Sequence, residues 1–249
     1  MKRPATDVLL RALRIRPGQT IVELGAGTGE LSRRLAASTG STGRVVSSDV
    51  ADGMIELLSH TNADLANVEV KKLDAMQIDL PEASADVVVF RMGLMLLPAP
   101  EVALRDIRRI LRPDGRVGIV VWAGPEHNPW MVAVGLAAMV HGLGGAAPTA
   151  PGMPFSLSEV ATLRSLLSGA GFVDVDVEAV ETPSAYADEQ EHFDTVASLA
   201  GPLGQAIAAA SPEQVDAMRA TAAEVLAPHR TEAGLVVPGR TLVATAAAG

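Results

Sequence analysis

The chain predicts a single α/β domain: a doubly wound, mostly parallel seven-stranded sheet with helices on both faces and a helical cap along one edge. Three observations lead there. Short β-branched runs alternate with segments of helical period between residues 20 and 122. Most of those runs are continuously apolar, which marks strands covered on both faces, as parallel strands are. The 249 residues, 48% hydrophobic and 20% charged, suit one large core.

Taken in order, residues 1–19 (MKRPATDVLLRALRIRPGQ) are an amphipathic stretch. TIVEL at 20–24 is the first strand and runs into a glycine cluster. Residues 31–38 have helical spacing, RVVSSD at 44–49 is the second strand, and 54–60 the second helix. A third strand covers 68–73, and DVVVF at 86–90 is the fourth. Residues 102–111 repeat apolar side chains at helical spacing, with Arg105, Arg108 and Arg109 between them. Pro113, Asp114 and Gly115 form a turn that cannot continue that helix. VGIVVW at 117–122 is the fifth strand. Beyond it, 123–154 is rich in Gly and Pro around an apolar helix at 131–140. Ser156, with Glu159 three residues on, predicts a capping box that opens a helix over 156–168. FVDVDVEAV at 172–180 reads as a half-exposed strand, 189–203 and 212–226 as helices, and 235–245 as a last strand.

Composition removes several classes of function. The chain has no cysteine, so disulfides, thiolate metal sites and a thiol nucleophile are excluded. Four Phe, two Trp and one Tyr give no platform for stacking nucleic-acid bases. Lys+Arg 20 against Asp+Glu 29 leaves a net charge of −9, a field that opposes polyanions. The longest apolar run, 130–140, falls well short of the roughly 20 residues a membrane span needs. No targeting pattern opens the chain. The expected partner is therefore a small molecule, in a cytoplasmic setting, for a monomer or homodimer.

Chemistry concentrates in VELGAGTGEL, residues 22–31, where a strand enters and a helix leaves. Gly25, Gly27 and Gly29 depart from the dinucleotide spacing G-x-G-x-x-G, because position 30 is Glu. Glu23 and Glu30 flank the loop, and two carboxylates there would repel a pyrophosphate. They suit a ligand with an ammonium and no phosphate, and S-adenosylmethionine (SAM), with its α-amino group and sulfonium, is such a ligand. Asp49 ends the second strand, 22 residues after Gly27, where an acid can accept from both ribose hydroxyls. Asp74–Ala75 follow the third strand, and an acid there can accept from the adenine amine. These positions fall at the carboxyl ends of consecutive strands, where open α/β sheets bind ligands.

VELGAGTG, SSDV, LDAMQIDLP, SADVVVFRMGLMLLPAP and LRDIRRILRPDGRVGIVVW occur here in that order. Over residues 5–122, about half the chain, the sequence resembles the class I SAM-dependent methyltransferases, with their Rossmann-like fold. FRMGLMLLPAP, then VVW and HNPW, is similar to the ubiquinone/menaquinone-biosynthesis branch that acts on small molecules. The resemblance implies that Gly25, Ala26 and Gly27 approach the methionine part of the cofactor, and that Glu23 supports its amino group. It implies further that Asp49 binds the ribose, Val50 lies against adenine, Asp74 and Ala75 read the adenine edge, and Arg91 lies at the amino end. The product would be S-adenosylhomocysteine. By the same reading 1–122 is the cofactor-binding core, 123–155 and 182–234 are cap insertions, and 156–181 and 235–249 return to the sheet. The 19 residues before Thr20 contain no aromatic, so cover over the cofactor is expected from 123–143 and 182–234, and residues 123–155 and 182–234 are expected to close over the acceptor as a lid.

Methyl transfer needs alignment more than a catalytic constellation, since the sulfonium already activates the carbon. Among the five histidines, His127 follows the fifth strand at the ligand edge and is the best candidate for a base. His60 reads as a helix-end residue, His141 as facing a pocket, and His192 and His229 as solvated. No two have helical metal spacing and no acid cluster accompanies them, so no metal is expected. Met92, Met95, Met131 and Met139 read as an adaptable apolar lining. Three other readings stay open: a protein that binds SAM without methylating, as a cyclase-like enzyme or regulatory module; a nicotinamide dehydrogenase, which Glu23 and Glu30 disfavour; and an inactive remnant, given the short stretch before the first strand.

Overall fold

A computed structural model describes residues 3–199 and 201–249. Met1 and Lys2 of the opening stretch, and Ala200 inside the expected 189–203 helix, lie outside the described residues. The chain runs α1 (Arg3–Leu13), β1 (Thr20–Leu24), α2 (Glu30–Thr39), β2 (Arg44–Asp49), α3 (Asp52–Thr61), β3 (Val68–Lys72), β4 (Ala85–Arg91), α4 (Pro100–Ile110) and β5 (Leu111–Trp122). It continues with α5 (Pro129–Val140), α6 (Val160–Gly169), β6 (Val173–Glu181), β7 (Ser184–Tyr186), α7 (Glu189–Leu199), α8 (Pro202–Ala208) and α9 (Pro212–Leu226). The last elements are β8 (Arg230–Thr231), β9 (Gly234–Val237) and β10 (Arg240–Ala247).

Seven strands form one sheet in the order β3-β2-β1-β4-β5-β10-β6. The first five are parallel, and β10 runs antiparallel between β5 and β6. The order reverses between β1 and β4, so a crevice opens at their carboxyl ends. One face packs Ile21, Val45, Val87, Val89 and Val120 against Leu9 and Leu13 of α1 and Leu31 and Leu35 of α2. The other packs Val22, Val88, Ile119 and Val121 against Leu104 and Ile107 of α4 and Leu163 and Leu167 of α6. The opening amphipathic stretch thus becomes a core helix. Its seat is Gly118, where a Cβ would come within 2.6 Å of Leu9.

Three local expectations are corrected. Helix α6 begins at Val160, not Ser156, whose hydroxyl instead donates to the Met95 carbonyl at 2.6 Å, so no capping box forms. The expected 189–203 helix is two helices, because Pro202 has no N–H to continue the first and Gly201 takes a left-handed φ of 53°. The expected last strand, 235–245, divides into β9 and β10, which belong to different sheets. β9 joins β7 and β8 in a small second sheet of order β7-β9-β8. At Pro113–Gly115 the turn persists as a bulge: β4 pairs Ala85 with Leu111 and then Val87 with Arg116, with Asp114 at φ 65°.

The connections after β5 and β6 share one edge. Thr241 pairs with Trp122 at the end of β5, and Arg240 with Glu181 at the end of β6. Residues 123–159 and 182–239 therefore both leave and return at the carboxyl edge, beside the β1–β4 crevice. Helices α7, α8 and α9 pack with α5 there. Among the described residues, no helix is long and apolar enough to cross a membrane.

Candidate functional site at the carboxyl edge

The loop after β1 turns on three left-handed glycines: φ is 61° at Gly25, 59° at Gly27 and 80° at Gly29. Side chains rarely tolerate this region. Each glycine has a further reason. A Cβ on Gly25 would lie 3.2 Å from the Phe90 ring, and one on Gly29 would lie 2.8 Å from Asn62 Nδ2. A Cβ on Gly27 would meet nothing within 4 Å. Gly25 and Gly29 are packed by the protein, whereas Gly27 presents bare backbone to open space, the cradle that a close-lying ligand requires.

Asp49 closes this loop from the neighbouring strand. Its Oδ2 accepts from Gly27 N–H at 3.0 Å, and its Oδ1 from the N–H groups of Val50 at 2.8 Å and Ala51 at 3.1 Å. Ala26 N–H donates to the Ser48 carbonyl at 2.8 Å. A carboxylate has about four lone-pair sites, so with three of them used Oδ2 keeps acceptor capacity for one hydroxyl of a diol. Val50 beside it is 61% exposed, an apolar side chain held out into solvent at the end of β2. The third segment joins here: Leu73 N–H donates to the Asp49 carbonyl at 3.1 Å. Asp74 is exposed and caps its own turn through Met76 N–H at 2.8 Å, while Ala75 is buried. The structure thus ties Gly27 to Asp49, and Asp49 to Leu73, which precedes Asp74–Ala75, along one rim.

Glu23 lies beneath the rim, 2% exposed. Its Oε2 accepts from Ser32 Oγ at 2.5 Å, and Ser32 Oγ is 2.7 Å from Ser47 Oγ. Burial raises its pKa from 4.5 to about 7, against the opposing pull of Ser32, Arg91 and Ser47. Arg91, at the end of β4, donates from Nη1 to Thr6 Oγ1 of α1 at 3.0 Å. Burial lowers its pKa, and the charges of Glu23 and Glu30 work the other way. Its side chain therefore braces α1 and balances two acids; the residue after it, Met92, has a left-handed φ of 64° and donates its N–H to Val120.

His127 is engaged elsewhere. Its Nε2 sits 3.0 Å from Arg240 Nη1, which has only protons to offer, so the imidazole must accept there. Glu126 approaches the same nitrogen at 3.4 Å. That lone pair is not open to an acceptor molecule. Two other histidines depart from expectation. His192 is fully buried instead of solvated, with Nε2 2.7 Å from the Trp130 carbonyl. His141 bonds Thr221 Oγ1 of α9 at 2.9 Å instead of opening to a pocket. Of the methionines, Met95 is buried, Met92 and Met131 are half-buried and Met139 is exposed.

Sequence reasoning missed Asn128. It is fully buried, and its Nδ2 lies within 3.0–3.1 Å of the carbonyls of Ala123, Gly124 and Arg240. Its Oδ1 accepts from Arg240 N–H at 3.0 Å and Trp130 Nε1 at 3.1 Å. The one available signal was an amide before Pro-Trp at a strand exit.

Residues 21–115 match the family model described as a methyltransferase domain. The ubiquinone/menaquinone biosynthesis C-methyltransferase UbiE of Ectopseudomonas mendocina is 33% identical over 123 residues, 48% of this chain and 48% of that protein. The chain spans about half the length of the curated relatives it matches. Among solved structures, the YcgJ protein of Bacillus subtilis superposes with a TM-score of 0.66 at 15% identity, over 98% of this chain and 97% of that one. The [4+2]-cyclase SpnF superposes with a TM-score of 0.61 at 19% identity, over 97% and 79%. The two structures share the fold, and residues 21–115 are similar to the methyltransferase domain, with the UbiE proteins as similar relatives over about half of either length.

Proposed function

We propose that the chain binds SAM at the carboxyl ends of β1 to β3 and transfers its methyl group to an O, N or C nucleophile of a small, largely apolar acceptor. The carrying observation is the rim itself: bare backbone at Gly27, clasped by Asp49, above a buried carboxyl at Glu23. The residues fit the cofactor. Glu23 faces its ammonium with a partly neutral carboxyl that becomes fully charged when a cation arrives. Gly25, Ala26 and Gly27 offer backbone to the methionine part, Asp49 takes a ribose hydroxyl, and Val50 and Asp74–Ala75 flank the adenine. When bound, SAM supplies a methyl group already activated as a sulfonium. The chain's own task is to position the acceptor and exclude water under residues 123–159 and 182–239.

A second reading has one observation behind it: the [4+2]-cyclase SpnF has this fold over almost the whole chain. In that reading SAM is bound and not consumed. Calorimetry with SAM, S-adenosylhomocysteine, NAD and ATP tests the site, and the first two should bind far more tightly. Incubation with methyl-labelled SAM and quinone, phenolic and polyketide-like acceptors then divides the readings. Accumulation of S-adenosylhomocysteine supports transfer, and tight SAM binding with conversion of a polyene but no S-adenosylhomocysteine supports the cyclase.

A further inference from the structure

Residues 181–187 alternate strictly between exposed and buried, so Thr182, Ser184 and Tyr186 share the buried face of an extended segment. That face is polar, which is the reverse of what burial favours. The Thr182 hydroxyl and His192 Nδ1 are buried without a hydrogen-bond partner, and the Ser184 hydroxyl and the Tyr186 phenol have none but each other. The Tyr186 and His192 rings meet edge to face at 4.9 Å. The Ser184 hydroxyl is close enough to influence the Tyr186 phenol, whose pKa burial pushes up. Unpaired buried polar atoms are uncommon in folded proteins and call for an occupant.

The tautomer of His192 is determined by its neighbour. Nε2 lies 2.7 Å from the Trp130 carbonyl, which can only accept, so Nε2 carries the hydrogen. Nδ1 is then a bare lone pair, and burial lowers the pKa of the ring, keeping it neutral. Around this group lie Trp130 and Phe193, in the apolar cluster that also contains Phe90, the ring against Gly25. The polar face therefore follows the carboxyl end of β6 in the cap, in an apolar cluster that extends as far as Phe90 beside the glycine loop.

We propose that Ser184, Tyr186 and His192 form the acceptor subsite of the cap, and that it takes a phenolic hydroxyl with His192 Nδ1 as proton acceptor. The inference rests on the methyl-transfer reading above. The apolar and aromatic surroundings select an aromatic body, and the polar stripe selects one hydroxyl on it. A neutral imidazole matches a phenol, of pKa about 10, much better than an aliphatic alcohol. In the step, the hydroxyl proton passes to Nδ1 as the oxygen bonds to the methyl carbon. The carbon–sulfur bond breaks with its electron pair on sulfur, and the products are the methyl ether, S-adenosylhomocysteine and a protonated His192. Tyr186 and Ser184 hold the oxygen by hydrogen bonds.

The test uses the full chain loaded with S-adenosylhomocysteine, 2-naphthol as probe, and 2-methoxynaphthalene as its hydroxyl-free control. Nitrogen-15 NMR of labelled histidine should show the Nε2–H tautomer of His192, with the Nδ1 resonance moving on addition of 2-naphthol and not of the ether. Tyr186→Phe with Ser184→Ala should weaken 2-naphthol about tenfold, the scale of one buried hydrogen bond, and leave S-adenosylhomocysteine within twofold. His192→Gln, which keeps a donor for Trp130, should lose the preference for the naphthol over the ether. Failure of 2-naphthol to saturate the loaded protein, or binding that leaves Nδ1 unmoved, would overturn the subsite while cofactor binding stands. Failure of S-adenosylhomocysteine to bind would overturn the methyl-transfer reading itself, and the subsite with it.

Discussion

Asp49 and Glu23 stand in adjacent strands and do opposite things to the protein that carries them. Asp49 satisfies the N–H groups of Gly27, Val50 and Ala51, so it supports the loop in addition to its proposed ribose contact. Asp49→Ala should weaken S-adenosylhomocysteine by about 1.5–3 kcal/mol, the scale of hydrogen bonds to a charged group. A calorimetric titration of a folded mutant with unchanged affinity would place the ribose acid elsewhere. Glu23 costs stability when ionised. Its folded pKa of about 7 exceeds the ordinary 4.5, so the native state holds the proton more tightly than the unfolded chain. Stability from this group is greatest below about pH 4.5, falls as pH rises to about 7, and stays low above it, a change of roughly 3 kcal/mol. Glu23→Gln should therefore be more stable than the parent at pH 8, nearly equal to it at pH 4.5, and weaker for SAM. Urea melts across that range check this, and parallel pH profiles for the two proteins would remove the argument.

At the scale of an element, the glycine loop and the β5 exit make separable claims. Gly27→Ala adds a Cβ with nothing within 4 Å, and Gly29→Ala adds one 2.8 Å from Asn62 Nδ2. Both acquire left-handed strain of about 1–2 kcal/mol, but only the second also disturbs the contact of α2 with α3. Gly29→Ala should lose more stability than Gly27→Ala, while Gly27→Ala should lose more cofactor affinity than stability. Equal effects on both quantities in both variants would mean that Gly27 faces no ligand. At the β5 exit, Asn128→Ala strands Arg240 N–H and Trp130 Nε1 and frees three carbonyls in the interior. A loss of about 3 kcal/mol or more is expected in chemical denaturation.

For the whole molecule, the question is whether the cap moves. The absence of Asp, Glu, Lys and Arg from 130–147 predicts a lid, since such a surface left exposed is sticky. The structure instead staples α5 at both ends. His192 holds the Trp130 carbonyl, and at the other end His141 bonds Thr221 while Gln214 Nε2 donates to the His141 carbonyl at 2.7 Å. Trp130, Ala133, Val134, Ala137 and Ala138 are buried. Amide exchange in the free protein should therefore find α5 protected as strongly as the sheet. Residues 142–154, which contain only turns and bends, should exchange quickly and slow when cofactor and acceptor are bound. Rapid exchange of α5 in the free protein would restore the moving-helix picture.

Between residues 20 and 122 the local pattern was enough to predict the fold. Continuous apolar runs require burial on both faces, and glycines at strand exits can do little but turn or approach a ligand. The five parallel strands, the turn at the glycine loop and the likeness to methyltransferase domains were legible in sequence because each signal spans a few neighbouring residues; the strand order was not. What tertiary structure decided is everything that depends on a distant partner. The sequence shows Ser156 and Glu159 but not the Met95 carbonyl that takes the serine, and His127 but not Arg240, 113 residues away. It shows a polar-looking helix around His192, whose burial comes from α5. It shows 235–245 as one β-rich run, which divides because its two halves pair with different sheets. A side chain's charge and hydrogen-bonding capacity are local properties, whereas its solvation and partners are set by segments far along the chain, and those decide what it can do.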